Sequence, residues 1–269
     1  MGKLLGYNEL LENIRGQIGQ VIRIWKKHMG DELVGVYLHG SAVLNAFNPD
    51  SGDIDLLIVV KNAIAPEKRL ELAKEIIAVD KEPRPLEISA VTEHEARNWK
   101  NPGSCVFHYS DYWTDRYLAR FSDPEKEVYV ADRDFPDADV TSYIRLIRQC
   151  GIVLYGKAVS DVFAEVSDED FWAAISADAE DYDFHSYAPR YLASNILILG
   201  RILSFRFLGR ILSKYEAGVW LTEYVPDELK YIPENAMKVW FDGETHPFPE
   251  EDLEKLRTLL ISEIRREGK

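Results

Sequence analysis

Apolar residues near the N-terminus recur at the three- and four-residue spacing of an amphipathic helix over residues 7–28. Gly30 stops this helix after a cationic last turn. The following apolar runs, separated by turn residues, predict strands over 33–38, from Asp53 to Val60 and over 86–91, with a helix over 66–79. This alternation indicates a small mixed sheet with helices on one side.

The pattern changes twice further along the chain. Residues 93–137 mix aromatic and polar side chains without a clear period, which is typical either of a substrate-facing wall or of an irregular segment packed on the core by its rings. From Val140 onward helical periodicity dominates, and Ser167 is a plausible N-cap. Helices are predicted at about 140–150, 168–181, 188–208, 211–222, 227–240 and 250–266.

These patterns predict an α+β chain of two domains. Asp132 to Asp139 contains Pro136 and several acids, and we interpret it as a hinge between an N-terminal mixed-sheet domain, 1–136, and a C-terminal α-helical bundle, 137–269. The segment from Tyr191 to Leu208 is apolar nearly all round, as expected for the buried centre of a bundle.

Charge and composition narrow the possible functions. The 269 residues carry 32 basic and 46 acidic side chains, a net charge of −14, which argues against a nucleic-acid partner. An acidic protein suits a cationic small-molecule substrate, although the charge is equally typical of an ordinary solvated surface. Two cysteines in no metal or redox spacing, no targeting segment and no membrane-spanning run indicate a cytoplasmic protein without a membrane partner.

The stretch Leu38 to Val60 carries the strongest chemical signal. Gly40 and Ser41 follow a predicted strand and begin a helical turn, where free backbone N–H groups can bind phosphate. Asp53 and Asp55 lie two residues apart at the start of the next strand, so both carboxylates point to the same face. A hard divalent cation such as Mg²⁺ relieves the repulsion of such a pair. The combination predicts phosphoryl or nucleotidyl transfer.

A third carboxylate completes the predicted site. Glu87 lies near the start of the third strand, where it could accept a proton from an attacking hydroxyl. An Asp-x-Asp pair or a strand-edge Glu is also common on solvated loop edges. No P-loop, dinucleotide-binding or nucleophile-elbow motif occurs, and His39 is expected to pack or hydrogen-bond locally.

The runs GVYLHGS and DIDLLIVV resemble the signature of the DNA polymerase β-like nucleotidyltransferase superfamily. Most of the chain, about residues 15–265, resembles the aminoglycoside adenylyltransferases that modify streptomycin and spectinomycin, because NILILGRILSFRFLGRILSKYEAGVWL and the segment from 135 to 175 are similar to their helical second domain. The resemblance implies a nucleotidyltransferase domain, a bundle that closes its active site, and Mg²⁺-dependent transfer of AMP from ATP to an antibiotic hydroxyl.

The resemblance also implies roles for individual residues. Asp53 and Asp55 would ligate the metal and Glu87 would act as the base. The implied nucleotide contacts are Gly40, Ser41, Ser51, Asp139, Lys214 and Phe241. The implied acceptor contacts are Tyr112 or Trp113, depending on a one-residue shift, and acids near Asp181 to Asp183. One departure is Gly52, which stands where the family commonly has Ser.

The acceptor stays open at this point. A small cationic aminoglycoside or aminocyclitol is one hypothesis, with the protein a monomer or weak dimer. The alternative is a regulatory or antitoxin-like nucleotide-binding protein, or a protein AMPylase, of the same superfamily.

Overall fold

The computed structural model describes residues 4–177, 179, 181–182, 184 and 188–266. Helices account for 58% of the chain and strands for 14%. Contacts between Cα atoms divide it into two compact units, Leu5–Ala174 and a second that begins at Ile175. The predicted division after Pro136 falls inside the first unit, because the segment that follows it adds a strand to the same sheet.

The first unit alternates strands with short and long helices. Its helices are α1 (Glu12–Met29), α2 (Gly40–Val43), α3 (Pro66–Ile77), α4 (Glu93–Arg97), α5 (Thr114–Ser122), α6 (Tyr129–Asp132), α7 (Asp139–Cys150), α8 (Val159–Val162) and α9 (Asp168–Ser176). Its strands are β1 (Leu33–Leu38), β2 (Ile54–Val60), β3 (Leu86–Thr92), β4 (Gly103–Cys105), β5 (Phe107–Tyr109), β6 (Phe135–Asp137) and β7 (Ile152–Gly156).

A five-stranded mixed sheet in the order β5-β3-β2-β1-β7 confirms the predicted architecture. Only β2 and β3 are parallel, and they pair Ile54 with Leu86 and Asp55 with Glu87. The central strand β2 is buried on both faces from Leu56 to Val60, so it reads as a continuous apolar run. Strand β7 lies in a stretch where only helices were predicted, since its half-exposed residues give no strong period.

Residues 93–137 contain more structure than their sequence pattern indicates. They form three short strands and three helices, and their rings Phe107, Tyr109 and Tyr117 are buried in the core. Phe107 packs edge-on against Trp25 of α1, with ring centroids 5.2 Å apart. Tyr112, by contrast, is 70% exposed. Most of the aromatic content of this segment therefore serves packing.

The second unit is helical in its described residues. It contains α10 (Pro189–Leu208), α11 (Lys214–Tyr224), α12 (Tyr231–Met237), a π-helical turn (Lys238–Asp242) and α13 (Glu250–Arg265). The predicted helix over 168–181 is shorter, because α9 ends at Ser176; its N-cap is confirmed by the Ser167 side chain, which accepts from Asp170 N at 3.0 Å.

Helix α10 is the core of this unit. It contacts α11, α12 and α13, as predicted for the centre of a bundle. By length and composition α10 could cross a bilayer, yet 61% of its apolar window is buried inside the protein, as is usual for a core helix. A Cβ on Gly218 of α11 would lie 2.6 Å from the Met237 side chain, so any larger residue there would require that side chain to move.

Candidate active site

Three carboxylates meet at one edge of the sheet in the first unit. Parallel pairing sets Asp55 directly beside Glu87, and Asp53 lies two residues earlier on the same face. Ligand oxygens of Asp53, Asp55 and Glu87 all lie within 4.8 Å of one another. The structure therefore brings together the two predicted metal ligands and the predicted base.

The turn after β1 provides the second predicted element. Gly40 begins α2 with φ of 69°, and a Cβ at this position would lie 1.7 Å from Asp55 Oδ2. Only glycine allows the Asp55 carboxylate to lie so close to the backbone. The Ser41 Oγ atom is buried and has no hydrogen-bond partner among the described residues. A buried, unpaired hydroxyl is costly, and a phosphate oxygen would satisfy it.

Burial and neighbouring acids keep Glu87 partly protonated near neutral pH. The pKa of Glu87 is raised from 4.5 to about 7, chiefly by desolvation and to a smaller extent by the negative charges of Asp53, Asp139 and Asp137. A hydrogen bond donated by the Tyr143 hydroxyl to Glu87 Oε1, 2.8 Å long, opposes this rise. A carboxylate with a pKa near 7 is suited to act as a general base.

Helix α7 supplies groups that the sequence motif does not contain. Asp139 and Tyr143 lie four residues apart and so share one helix face. Asp137, just before α7, accepts the backbone N–H of Asp139 at 3.0 Å, and burial raises the pKa of Asp137 to about 6. Asp139 was predicted from the resemblance. The i, i+4 pattern from Asp139 was the only sequence signal that could have identified Tyr143.

The donor set fits a hard divalent cation. Three carboxylates concentrate negative charge, and oxygen ligands are those that Mg²⁺ prefers. A cation relieves the repulsion among these carboxylates. Without one, Glu87 is partly neutral near pH 7, because desolvation and, to a smaller extent, the neighbouring charges raise its pKa. The residues therefore fit the ion that the resemblance implies.

The loop before β2 differs from the family pattern for a steric reason. A Cβ on Gly52 would lie 2.8 Å from the backbone oxygen of Asn48, so a serine does not fit this turn. The neighbouring Ser51 is half-buried, and its backbone N–H donates to the same oxygen at 3.3 Å. Its role as a nucleotide contact stays a prediction.

A cationic cluster lies in the helical unit. Lys214, the first residue of α11, donates to Ser194 Oγ at 2.9 Å, and its Nζ lies 3.9 Å from the centre of the Trp240 ring. The Arg190 guanidinium lies 4.5 Å from the centre of the same ring. Phe241 is buried and packs edge-on against Tyr215, so Trp240 is the more accessible aromatic beside Lys214.

The predicted acceptor contacts are spread over both units. Tyr112 and Trp113 follow β5, whose antiparallel pairing of Tyr109 with Ile88 directs the chain past the Glu87 end of β3. Arg116 lies over both rings, 4.3 Å from the centre of Tyr112 and 4.8 Å from that of Trp113. In the helical unit Asp181 is exposed, whereas Asp183 lies outside the described residues.

Comparison with known proteins identifies both parts of the chain. Residues 18–112 match the family model of the nucleotidyltransferase domain, and residues 161–262 match that of the aminoglycoside adenylyltransferase C-terminal domain. An aminoglycoside (3'') (9) adenylyltransferase of Klebsiella pneumoniae is 22% identical over 87% of this chain and 88% of its own. A spectinomycin 9-adenylyltransferase of Enterococcus faecalis is 25% identical over 80% and 83%.

A solved structure has the same fold. The spectinomycin adenylyltransferase AAD(9) of Enterococcus, crystallised with ATP and spectinomycin, superimposes with a TM-score of 0.80. The alignment covers 94% of this chain and 99% of that one, at 21% sequence identity. The predicted fold, a nucleotidyltransferase domain followed by a helical bundle, is confirmed.

Proposed function

Because the chain belongs to the aminoglycoside adenylyltransferase-like nucleotidyltransferases, we propose that it transfers AMP from ATP to a hydroxyl of a small cationic acceptor of the aminoglycoside or aminocyclitol class. The observation that carries this proposal is the carboxylate trio on adjacent strands, with ligand oxygens within 4.8 Å of one another. The empty hydrogen-bonding capacity of Ser41 Oγ, at the turn that contacts Asp55, supports a phosphate ligand at the same edge.

Asp53 and Asp55 would hold Mg²⁺. When bound, the ion supplies electrostatic stabilisation for the charge that develops on the phosphate oxygens. Two carboxylates leave room for water and triphosphate oxygens in its coordination shell, which is how Mg²⁺ is usually bound with nucleotides.

Glu87 acts as the general base. Its carboxylate takes the proton of the acceptor hydroxyl while that oxygen forms a bond to the α-phosphorus of ATP. The bond from the α-phosphorus to the oxygen bridging to the β-phosphate breaks, and pyrophosphate leaves. With a pKa of about 7, a substantial fraction of Glu87 is ionised at neutral pH and retains enough basicity to accept the proton.

The remaining residues position the two substrates. We assign Gly40, Ser41, Ser51 and Asp139 to the nucleotide, and Lys214 to the phosphates and the leaving pyrophosphate. We assign Phe241 as an aromatic residue near the nucleotide. Trp240 is a second candidate for this role, because it is more accessible than Phe241.

Acceptor binding is assigned to a separate set of residues: Tyr112, Trp113, Asp181 and Asp183. Rings and carboxylates are the groups that recognise a cationic acceptor. We expect the reaction to take place in the cytoplasm, where ATP is available.

The test is transfer itself. Purified protein is incubated with ATP, Mg²⁺ and either streptomycin or spectinomycin, and the mass of the acceptor is then measured by mass spectrometry. We expect one AMP adduct on at least one acceptor, and a large fall in its rate of formation in Glu87→Gln with ATP binding retained. The exposed Glu228→Gln is the matched control. Absence of any adduct from the wild-type protein contradicts the proposed function, and full activity of Glu87→Gln contradicts the assignment of the base.

A further inference from the structure

The phenol of Tyr143 is the direct hydrogen-bond donor to Glu87. Its hydroxyl lies 2.8 Å from Glu87 Oε1, and burial beside Glu87 raises the pKa of Tyr143 well above its ordinary range. The hydroxyl therefore stays protonated and can donate throughout the working pH range. Oε2 of Glu87 takes no part in this contact.

The Tyr143 ring is fixed from a second side. His39, which follows β1, stacks on it with ring centroids 4.4 Å apart and an interplanar angle of 25°. His39 is 3% exposed, and burial lowers its pKa to about 3, so the stacked imidazole is neutral. Its backbone N–H donates to the backbone carbonyl oxygen of Asp55 at 3.1 Å, which ties the stack to the metal-ligand strand.

We propose that Tyr143 is a positioning residue, which holds Glu87 by Oε1 and reserves Oε2 as the atom that receives the proton of the acceptor hydroxyl. The inference rests on the proposed function. The alternative placement of Glu87 is as a third metal ligand, because its oxygens lie within 4.8 Å of those of Asp53 and Asp55. In this proposal the hydrogen bond from Tyr143 opposes rotation of the Glu87 carboxylate toward a cation at Asp53 and Asp55, and so favours its role as a base.

The sharpest test is a kinetic double-mutant cycle of Tyr143→Phe and Glu87→Gln. Tyr143→Phe keeps the ring that stacks on His39 and deletes only the donor. We expect kcat to fall about 10- to 100-fold in the wild-type background, as for other small misplacements of a reacting group, with KM for ATP unchanged. In the Glu87→Gln background the same substitution is expected to leave the residual kcat unchanged, because it acts through Glu87.

Tyr37→Phe is the matched control. The Tyr37 hydroxyl is also buried and donates to the backbone oxygen of Lys157 at 3.0 Å, away from the carboxylates. We expect it to lower the melting temperature by a similar amount and to leave kcat unchanged. Equal losses of kcat from Tyr143→Phe in both backgrounds, or no loss in either, would overturn the positioning role.

The same double-mutant cycle, measured by melting temperature, separates failure of this inference from failure of the proposed function. If the wild-type protein modifies no acceptor, the proposed function fails, and the melting temperatures of the same four proteins still test the hydrogen bond from Tyr143 to Glu87. A change in melting temperature for the double variant that differs from the sum of the changes for the two single variants supports the Tyr143–Glu87 contact. Strictly additive shifts contradict it.

Discussion

Five carboxylates gather at one sheet edge of the first unit, whereas two cations share one indole in the helical unit. Asp53, Asp139 and Asp137 all raise the pKa of Glu87, and Asp55 is its strand partner. Arg190 and Lys214 contact the Trp240 ring from the first turns of α10 and α11, where the helix dipole disfavours positive charge. The charged form of Glu87 is thus disfavoured by the neighbouring acids, and the two cations are disfavoured by the helix dipoles.

The two clusters differ in how the repulsion between their like charges is reduced. Two of the acids, Glu87 and Asp137, are largely desolvated, which raises their pKa values and neutralises part of their charge. Arg190 lies on the surface, where water solvates the guanidinium and the indole adds about 0.5–1 kcal/mol. The acids are expected to control both chemistry and stability, and the cations mainly affinity.

The largest effect is expected from the metal ligands. Asp53→Asn and Asp55→Asn, measured separately, remove the charge that holds the ion, and we expect kcat/KM to fall by more than about 10³-fold with loss of Mg²⁺-dependent ATP binding. Isothermal titration of ATP with and without Mg²⁺ provides the measurement. ATP binding that is as strong and as Mg²⁺-dependent as in the wild type would contradict the assignment of these ligands.

The second effect is on stability. Replacing Glu87 is expected to lower activity but to raise the stability of the metal-free protein at high pH. The folded-state pKa of Glu87 is raised from 4.5 to about 7, so the folded protein binds more protons than the unfolded chain between these values. Without metal, the contribution of protonated Glu87 to stability is therefore fully present below about pH 4.5 and is lost as the pH rises through 7, by up to about 3 kcal/mol.

Glu87→Gln removes this titration. We expect the metal-free variant to unfold at a higher urea concentration than the wild type at pH 8, and this advantage to shrink toward pH 4.5. Glu228→Gln, an exposed substitution of the same kind, should shift neither curve. An advantage of Glu87→Gln that is independent of pH would show that the pKa of this carboxyl is not raised in the folded protein.

The sequence predicted the site better than the structure around it. Asp53, Asp55 and Glu87 could be predicted as neighbours because strand periodicity fixes which face a side chain takes and because Glu87 lies near the start of its strand, as Asp53 does. The parallel register that sets Asp55 beside Glu87 is seen only in the structure. Strand β7 and the strands within 93–137 were missed, since short strands whose partners are distant in sequence leave no local period. Tyr143 and Trp240 were missed for the same reason: their roles arise from tertiary contacts.

The third effect is on nucleotide affinity. Lys214→Ala removes a cation held by Ser194 and Trp240, and we expect the Kd for ATP to rise about tenfold, as for loss of a charge-assisted hydrogen bond. Arg190→Ala, which is more exposed, should raise it about threefold. Neither should change the pH dependence of stability that Glu87 sets. If neither substitution changes the Kd, the cationic cluster does not contribute to ATP binding.

The smallest effect is expected at the rings of Tyr112 and Trp113, where the direction of the change in the KM for the acceptor is informative. Arg116 covers the faces of Tyr112 and Trp113, and its Nη2 donates to the Tyr112 hydroxyl at 3.0 Å. A cationic acceptor that binds these rings must displace the guanidinium. Tyr112→Ala should raise the KM for a cationic acceptor about threefold, since an exposed cation–π contact is worth about 0.5–1 kcal/mol.

Arg116→Ala should lower the same KM by a similar factor, because it uncovers the rings and removes a like charge. The KM for ATP is the internal control and is expected to stay constant in both variants. Steady-state kinetics at saturating ATP gives both values. If both substitutions raise the KM for the acceptor, Arg116 itself binds the acceptor and the rings are not its cation site; if neither changes it, acceptor recognition lies with the acids of the helical unit, of which Asp181 is the exposed and described member.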